Sequence, residues 1–142
     1  MRALSVRQPW AWAIIHAGKN IENRTWTTKH RGPLAIHASQ GCTRAEYDAA
    51  SVEIERITGK RPPTLAELPR GCVVGTVDMV DCVEEGETEN PWAQDDCCWW
   101  MLSSPCACEP LATRGRLGLF EIAAELRFRD VTVVALAPES LS

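Results

Sequence analysis

Apolar and polar positions along this chain alternate in short blocks, and two of the blocks carry a helical period. Ala3-Leu4-Ser5-Val6 is a short strand candidate. Gln8-Pro9 then opens a helix: Pro9 suits the first helical position, where a missing N–H costs nothing, and Trp10, Ala13, Ile14 and Ala17 recur on one face. Trp12 lies off that stripe, and Gly18 is the expected terminator. The capping box Thr43-Arg44-Ala45-Glu46 predicts a second, longer helix to about Thr58. Its apolar stripe is Tyr47, Ala50, Ile54 and Ile57, its solvated side carries Glu53, Glu55 and Arg56, and Gly59 ends it.

Elsewhere the period is two. Leu34, Ile36 and Ala38 alternate with Ala35, His37 and Ser39 after the turn residues His30-Arg31-Gly32-Pro33. Cys72 to Val83 carries the strongest strand signal, and Gly75 within it marks a bulge or the close approach of another backbone. Arg61-Pro62-Pro63 is a rigid loop, and a second capping box from Thr64 to Glu67 predicts one further helical turn. Glu84 to Asp96 is acidic and turn-rich, and reads as a mobile loop carrying Trp92, Asp95 and Asp96. Cys98 to Leu102 is strand-like and is expected to stop at Ser104-Pro105; Arg116 to Ile122 resumes the pattern, and Phe128 to Leu136 adds a last strand before a tail from Pro138. Strands this numerous and this unevenly spaced, with two helices inserted early, predict an α+β fold. The expected form is a small closed or nearly closed β-barrel with helices over its side or end, not a parallel doubly wound sheet. No glycine-rich loop follows a strand, which disfavours nucleoside-triphosphate and dinucleotide enzymes.

At 142 residues the chain fits a single domain, 1–142, with a core of its own. A net charge of -4 argues against broad, sequence-blind binding to duplex DNA. It leaves room for a local basic cleft, because Arg7, Lys19, Arg24, Lys29 and Arg31 face a single early acid, Glu22, and most acids come later. Seven cysteines is an odd number, Met1 to Gln8 lacks the apolar run of a signal peptide, and no stretch approaches a membrane span. The expectation is a cytoplasmic protein with reduced thiols. Cys97-Cys98 and Cys106-Ala107-Cys108 lack zinc-ligand spacing, so neither a metal nor another cofactor is expected.

The segment Gly18-Lys19-Asn20-Ile21-Glu22-Asn23-Arg24-Thr25-Trp26 concentrates chemistry. In an extended chain Asn20, Glu22 and Arg24 project to one face and Lys19, Ile21 and Asn23 to the other; a turn at Gly18 brings Lys19 round towards Glu22. Such a pair holds charge where a substrate can meet it, with Trp26 as a flat stacking surface. The alternative is a surface ion pair beside a core tryptophan. His37, on a strand, either lines a pocket or is a satisfied structural histidine.

Three ordered motifs carry a resemblance. Leu4-Ser5-Val6-Arg7-Gln8-Pro9-Trp10, the pattern Gly18-Lys19, Ile21-Glu22, Arg24 and Trp26, and Arg31-Gly32, Leu34, Ile36-His37-Ala38-Ser39 are similar to the ASCH domain, a PUA-like family. Gly75-Thr76-Val77 and Arg114-Gly115-Arg116-Leu117-Gly118-Leu119-Phe120 fit as well, so the resemblance runs from about residue 3 to 122. It implies a small PUA-like β-barrel with two main helices packed around it and a cleft, between the first helix and the next strand, for RNA or a nucleobase. Some small free-standing bacterial members are amidohydrolases that deacylate N4-acetylcytidine with a lysine, a threonine three residues later and a distant glutamate. Another member is a ribonuclease, and others are nucleic-acid-binding modules of transcription or translation machinery.

The family lysine corresponds to Lys19, and Glu22 stands at the threonine position, removing the hydroxyl nucleophile. What remains is direct hydrolysis: Glu22 as general base on a water, Lys19 polarising the amide carbonyl, and Asp96, with Asp95 or Asp81 as substitutes, protonating the leaving amine. Arg7 and Arg24 would hold phosphate, ribose or a base carbonyl, Trp26 or Trp100 would stack on the base, and Trp10 and His37 complete the substrate-binding candidates. Expected partners are a nucleoside, a modified RNA base or single-stranded RNA, with no membrane. The enzyme reading competes with an RNA-binding module and with RNA cleavage by Lys19, Tyr47 or a histidine.

Overall fold

The computed structural model describes residues 1–123 and 125–128. Eight elements follow in order: β1 (Arg2–Val6), α1 (Trp10–His16), β2 (Ile21–Arg24), β3 (Gly32–Ala38), α2 (Arg44–Thr58), β4 (Cys72–Val83), β5 (Cys98–Ala112) and β6 (Leu119–Glu121). The six strands form one sheet in the order β2-β5-β4-β3-β1-β6. All neighbours are antiparallel except β1 and β3, which run parallel. A parallel pair needs a crossover, and the segment carrying α1 and β2 supplies it. The sheet curls into a half-barrel and the two helices complete the expected α+β architecture.

Both faces of the sheet are covered along β3, where Leu34 to Ala38 are all buried. Leu34, Ile36 and Ala38 join Leu4, Val6, Ile14, Ile15 and Trp100 in the main core, while Ala35 joins Ala3, Val73, Cys108 and Phe120 on the opposite side. Full burial of an aliphatic side chain such as Leu34 or Ile14 is worth about 1.5–3 kcal/mol. A third cluster of Ala13, Ile21, Ile54, Trp92 and Trp99 ties α1, β2 and α2 together. Gly75 does what its place in β4 suggests. The register slips beside it, and a Cβ there would lie 2.6 Å from the Cys106 carbonyl and 2.7 Å from Ile15 Cδ1.

Several sequence expectations change. Pro9 is the N-cap of α1 instead of its first helical residue, and the Gln8 side chain, just before it, accepts from the Trp12 N–H in the first turn at 2.9 Å. Ser104-Pro105 does not end a strand: β5 continues to Ala112, with Ser104 and Pro105 together opposing Val77 in a bulge where Ser104 has φ 52°. A proline is tolerated there because β2 pairs with β5 only from Cys98 to Met101, so no ladder on that side needs its N–H. The strand expected over Arg116 to Ile122 shortens to Leu119–Glu121. Thr64 to Glu67 gives one hydrogen-bonded turn, with Leu68 N–H on the Thr64 carbonyl at 3.1 Å. The last expected strand lies outside the described residues beyond Phe128, as does the tail.

Candidate functional site

The turn at Gly18, with φ +77°, ends α1 and folds Lys19 back so that its N–H reaches the Ala13 carbonyl at 3.1 Å. β2 starts two residues later, pairing Glu22 with Trp100 and Arg24 with Cys98. Period two then sends Glu22 and Arg24 to one side together, and the fold-back delivers Lys19 to the same place. Lys19 Nζ lies 3.0 Å from Glu22 Oε1 and also donates to the Ile21 carbonyl. Arg24 Nε donates to Glu22 Oε2 at 2.9 Å, and Arg24 Nη2 donates to the Ser5 carbonyl at 2.7 Å. Glu22 is thus gripped by two cations. Lys19 is 5% and Glu22 7% exposed, so this is no surface ion pair.

These three side chains line a cleft of about 500 Å³, of the size that takes one small organic ligand. Trp10 forms part of its wall, with Lys19 Nζ 5.7 Å from a ring centroid, a cation–π contact. Arg7 also lines it, anchored to Glu46 at 3.3 Å and to the Gly41 carbonyl at 3.2 Å. Five of the candidates, Arg7, Trp10, Lys19, Glu22 and Arg24, therefore meet in one place.

The others are elsewhere. Trp100 is fully buried in the main core, and its indole N–H donates to the Trp26 carbonyl at 3.1 Å, so it has no face to offer a base. Trp26 packs edge-on against Trp100, with ring centroids 4.7 Å apart, outside the cleft lining. Asp96 and Asp95 are exposed on the β4–β5 loop and line no part of the cleft, and Asp81 faces Arg31 at 3.5 Å. None of them stands beside Lys19 in the cleft lining, because the loop that carries Asp95 and Asp96 is held by its backbone with those side chains outward. His37 is buried outside the cleft: its Nε2–H donates to the Thr113 carbonyl at 2.6 Å, leaving Nδ1 opposite the Ser5 hydroxyl at 2.9 Å.

That β4–β5 loop is clamped, contrary to its reading as mobile. Asn23 Nδ2 donates to the Trp92 carbonyl and Asn23 Oδ1 accepts from the Gln94 N–H, both at 2.9 Å. Asn90 donates to Asn20 at 2.9 Å, and Trp92 is buried. The clamp sets Pro91 to Gln94 along the cleft, a contribution sequence reasoning missed; the amides Asn20 and Asn23 inside a charged motif were its only signal. Glu53 of α2 lines the cleft too, although its place on a solvated helix face hid it. Its carboxyl is held below the ordinary carboxylate range by the hydrogen bonds and charge of Arg56.

Among known protein families, the ASCH domain matches residues 4–112, a span that includes Lys19, Glu22 and Arg24. The chain belongs to the ASCH domain family. Activating signal cointegrator 1 of Homo sapiens is 35% identical over 83 residues, covering 58% of this chain and 14% of that protein. Its Mus musculus counterpart is 34% identical over the same length, with the same coverage. This ASCH chain therefore spans only a small part of the length of these curated relatives. Among the described residues no group of His, Cys, Asp and Glu could hold a metal ion, and no helix is long and apolar enough to cross a membrane.

Proposed function

We propose that this ASCH domain binds nucleic acid by taking one unpaired base of a single-stranded RNA, or a free nucleoside, into the cleft. The observation that carries it is the buried carboxylate of Glu22 held between Lys19 and Arg24 on the floor of a nucleobase-sized space. An acceptor flanked by donors suits the edge of cytosine or adenine, where an amino group adjoins a ring-nitrogen acceptor. Trp10 supplies an aromatic wall, and stacking on such a wall is worth about 1–3 kcal/mol per base. The basic N-terminal third offers contacts to phosphate, and the nucleic-acid-binding modules of the family support the same reading. Fluorescence anisotropy of a labelled single-stranded RNA, read at two salt concentrations, tests it. Affinity is expected to fall with salt and to drop at least tenfold in Arg24→Ala; affinity indifferent to both refutes it.

A second reading is favoured by one distance, the 3.0 Å between Lys19 Nζ and Glu22 Oε1 in that cleft. It is hydrolysis of an N4-acylated cytosine nucleoside. Glu22 would take a proton from water, the hydroxide would add to the acyl carbon, and the Lys19 ammonium would stabilise the oxyanion. With Asp96 outside the cleft, Glu22 itself would return the proton to the leaving N4 as the C–N bond breaks, giving cytidine and a carboxylic acid. Absorbance during incubation with N4-acetylcytidine reads this out. Absence of turnover across a range of acyl groups removes the reading, and Lys19→Ala or Glu22→Ala is expected to abolish any turnover seen.

A further inference from the structure

Beside the cleft lies a second chamber of about 850 Å³ that shares four lining residues with it: Ser5, Ser39, Arg116 and Leu117. We infer that this chamber is the subsite for the sugar-phosphate backbone of the nucleotide next to the bound base, with Arg114 and Arg116 as its phosphate contacts. The inference rests on the single-stranded RNA reading and extends it from one base to a dinucleotide footprint.

Charge supports it first. Arg114 and Arg116 line the chamber and, among the described residues, no carboxylate does. In a chain of net charge -4, such a wall is a departure from the average. The two arginines are exposed, and no ion pair among the described residues engages either of them. Arg7 and Glu53 of the first cleft, by contrast, have partners. Guanidinium groups with open donors are suited to bidentate capture of phosphate oxygens.

Backbone placement supports it second. Thr113 and Gly115 tie the Thr113–Leu117 segment to β1 and β3. His37 donates to the Thr113 carbonyl at 2.6 Å, and the Thr113 N–H donates to the Gly71 carbonyl at 3.1 Å. Gly115 is the point of closest approach, where a Cβ would come within 2.7 Å of His37 Cε1 and 2.9 Å of Ser5 Oγ. A glycine pressed inwards leaves the arginines on either side of it to line the chamber. Ser5 is the common wall: its carbonyl accepts from Arg24 in the first cleft, while its hydroxyl faces His37 in the second. His37 is therefore a positioning residue for the arginine segment, and Arg116 stands at the junction of the two spaces.

The test compares cytidine with a labelled single-stranded RNA hexamer, binding each to wild type and to Arg114→Ala, whose side chain lines the second chamber and no part of the base cleft. Wild type is expected to hold the hexamer at least tenfold more tightly than the nucleoside. Arg114→Ala is expected to lose most of that advantage with cytidine binding unchanged, and its slope of log affinity against log salt should be shallower by about 0.7, the value for one phosphate on a single strand. A hexamer bound no more tightly than cytidine, or an Arg114→Ala variant with wild-type hexamer affinity and slope, overturns the subsite and leaves the base cleft standing. Failure of wild type to bind either probe overturns both.

Discussion

Glu22→Gln should destabilise this protein far more than a surface substitution would. The change keeps the shape of the side chain and removes its charge, leaving Lys19, 5% exposed, and Arg24, about a quarter exposed, without their shared counter-ion. Breaking a buried ion pair from one side costs about 3–5 kcal/mol. The lower end applies here, because Lys19 keeps the Ile21 carbonyl, Arg24 keeps the Ser5 carbonyl, and Arg24 is partly solvated. At about 2–4 °C per kcal/mol for a chain approaching 150 residues, a loss of about 3 kcal/mol lowers Tm by about 6–12 °C. Urea denaturation completes the measurement as a double-mutant cycle with Lys19→Met. Removing both charges leaves only the partly solvated Arg24, so the double variant should be more stable than the two single losses add to, with a coupling of about 1–3 kcal/mol. A Glu22→Gln variant within about 1 °C of wild type, or strict additivity, would refute the buried pair as a structural unit.

Three further outcomes follow from the packing. Thr43→Ala removes the α2 capping box, in which Thr43 Oγ1 accepts from the Glu46 N–H at 3.1 Å, and should cost about 1 kcal/mol in chemical denaturation. Gly75→Ala places a methyl against the Cys106 carbonyl and Ile15, and overpacking of this kind should cost about 1–3 kcal/mol, read as a lower urea midpoint at unchanged slope. Burial pushes the Cys108 thiol up to about 11 from an ordinary 9.0, so the folded state holds its proton more tightly than the unfolded chain does. That contribution is complete below about pH 9 and is lost as pH rises towards 11; Tm measured across this window should fall less steeply in Cys108→Ala than in wild type.

How much was legible depended on whether the signal was local. The α2 boundaries follow from Thr43, Glu46 and Gly59, because caps act within one turn of chain. The β4 signal held for the same reason, being twelve residues of alternation with a glycine where the chains crowd. β5 was cut short at Pro105 because whether a proline is harmful in a strand depends on whether a neighbour needs its N–H, and that neighbour, β2, is some eighty residues away. The clamp on the β4–β5 loop was missed likewise, since the Asn23 amide that both donates to it and accepts from it sits in β2.

Lys19 to Arg24 shows both sides of this division. Sequence by itself determined that a helix ends at Gly18, that Glu22 and Arg24 share a face and that Lys19 can fold back to them, all consequences of backbone period and one positive φ. Only the tertiary structure decided that the cluster is buried, that Trp10 and Arg7 join it while Trp26, Trp100, His37 and Asp96 do not, and that Ser5 links it to a second chamber. The physical reason is range: dihedral preference and side-chain alternation act over a few residues, whereas burial and cleft lining are set by which distant strands lie side by side.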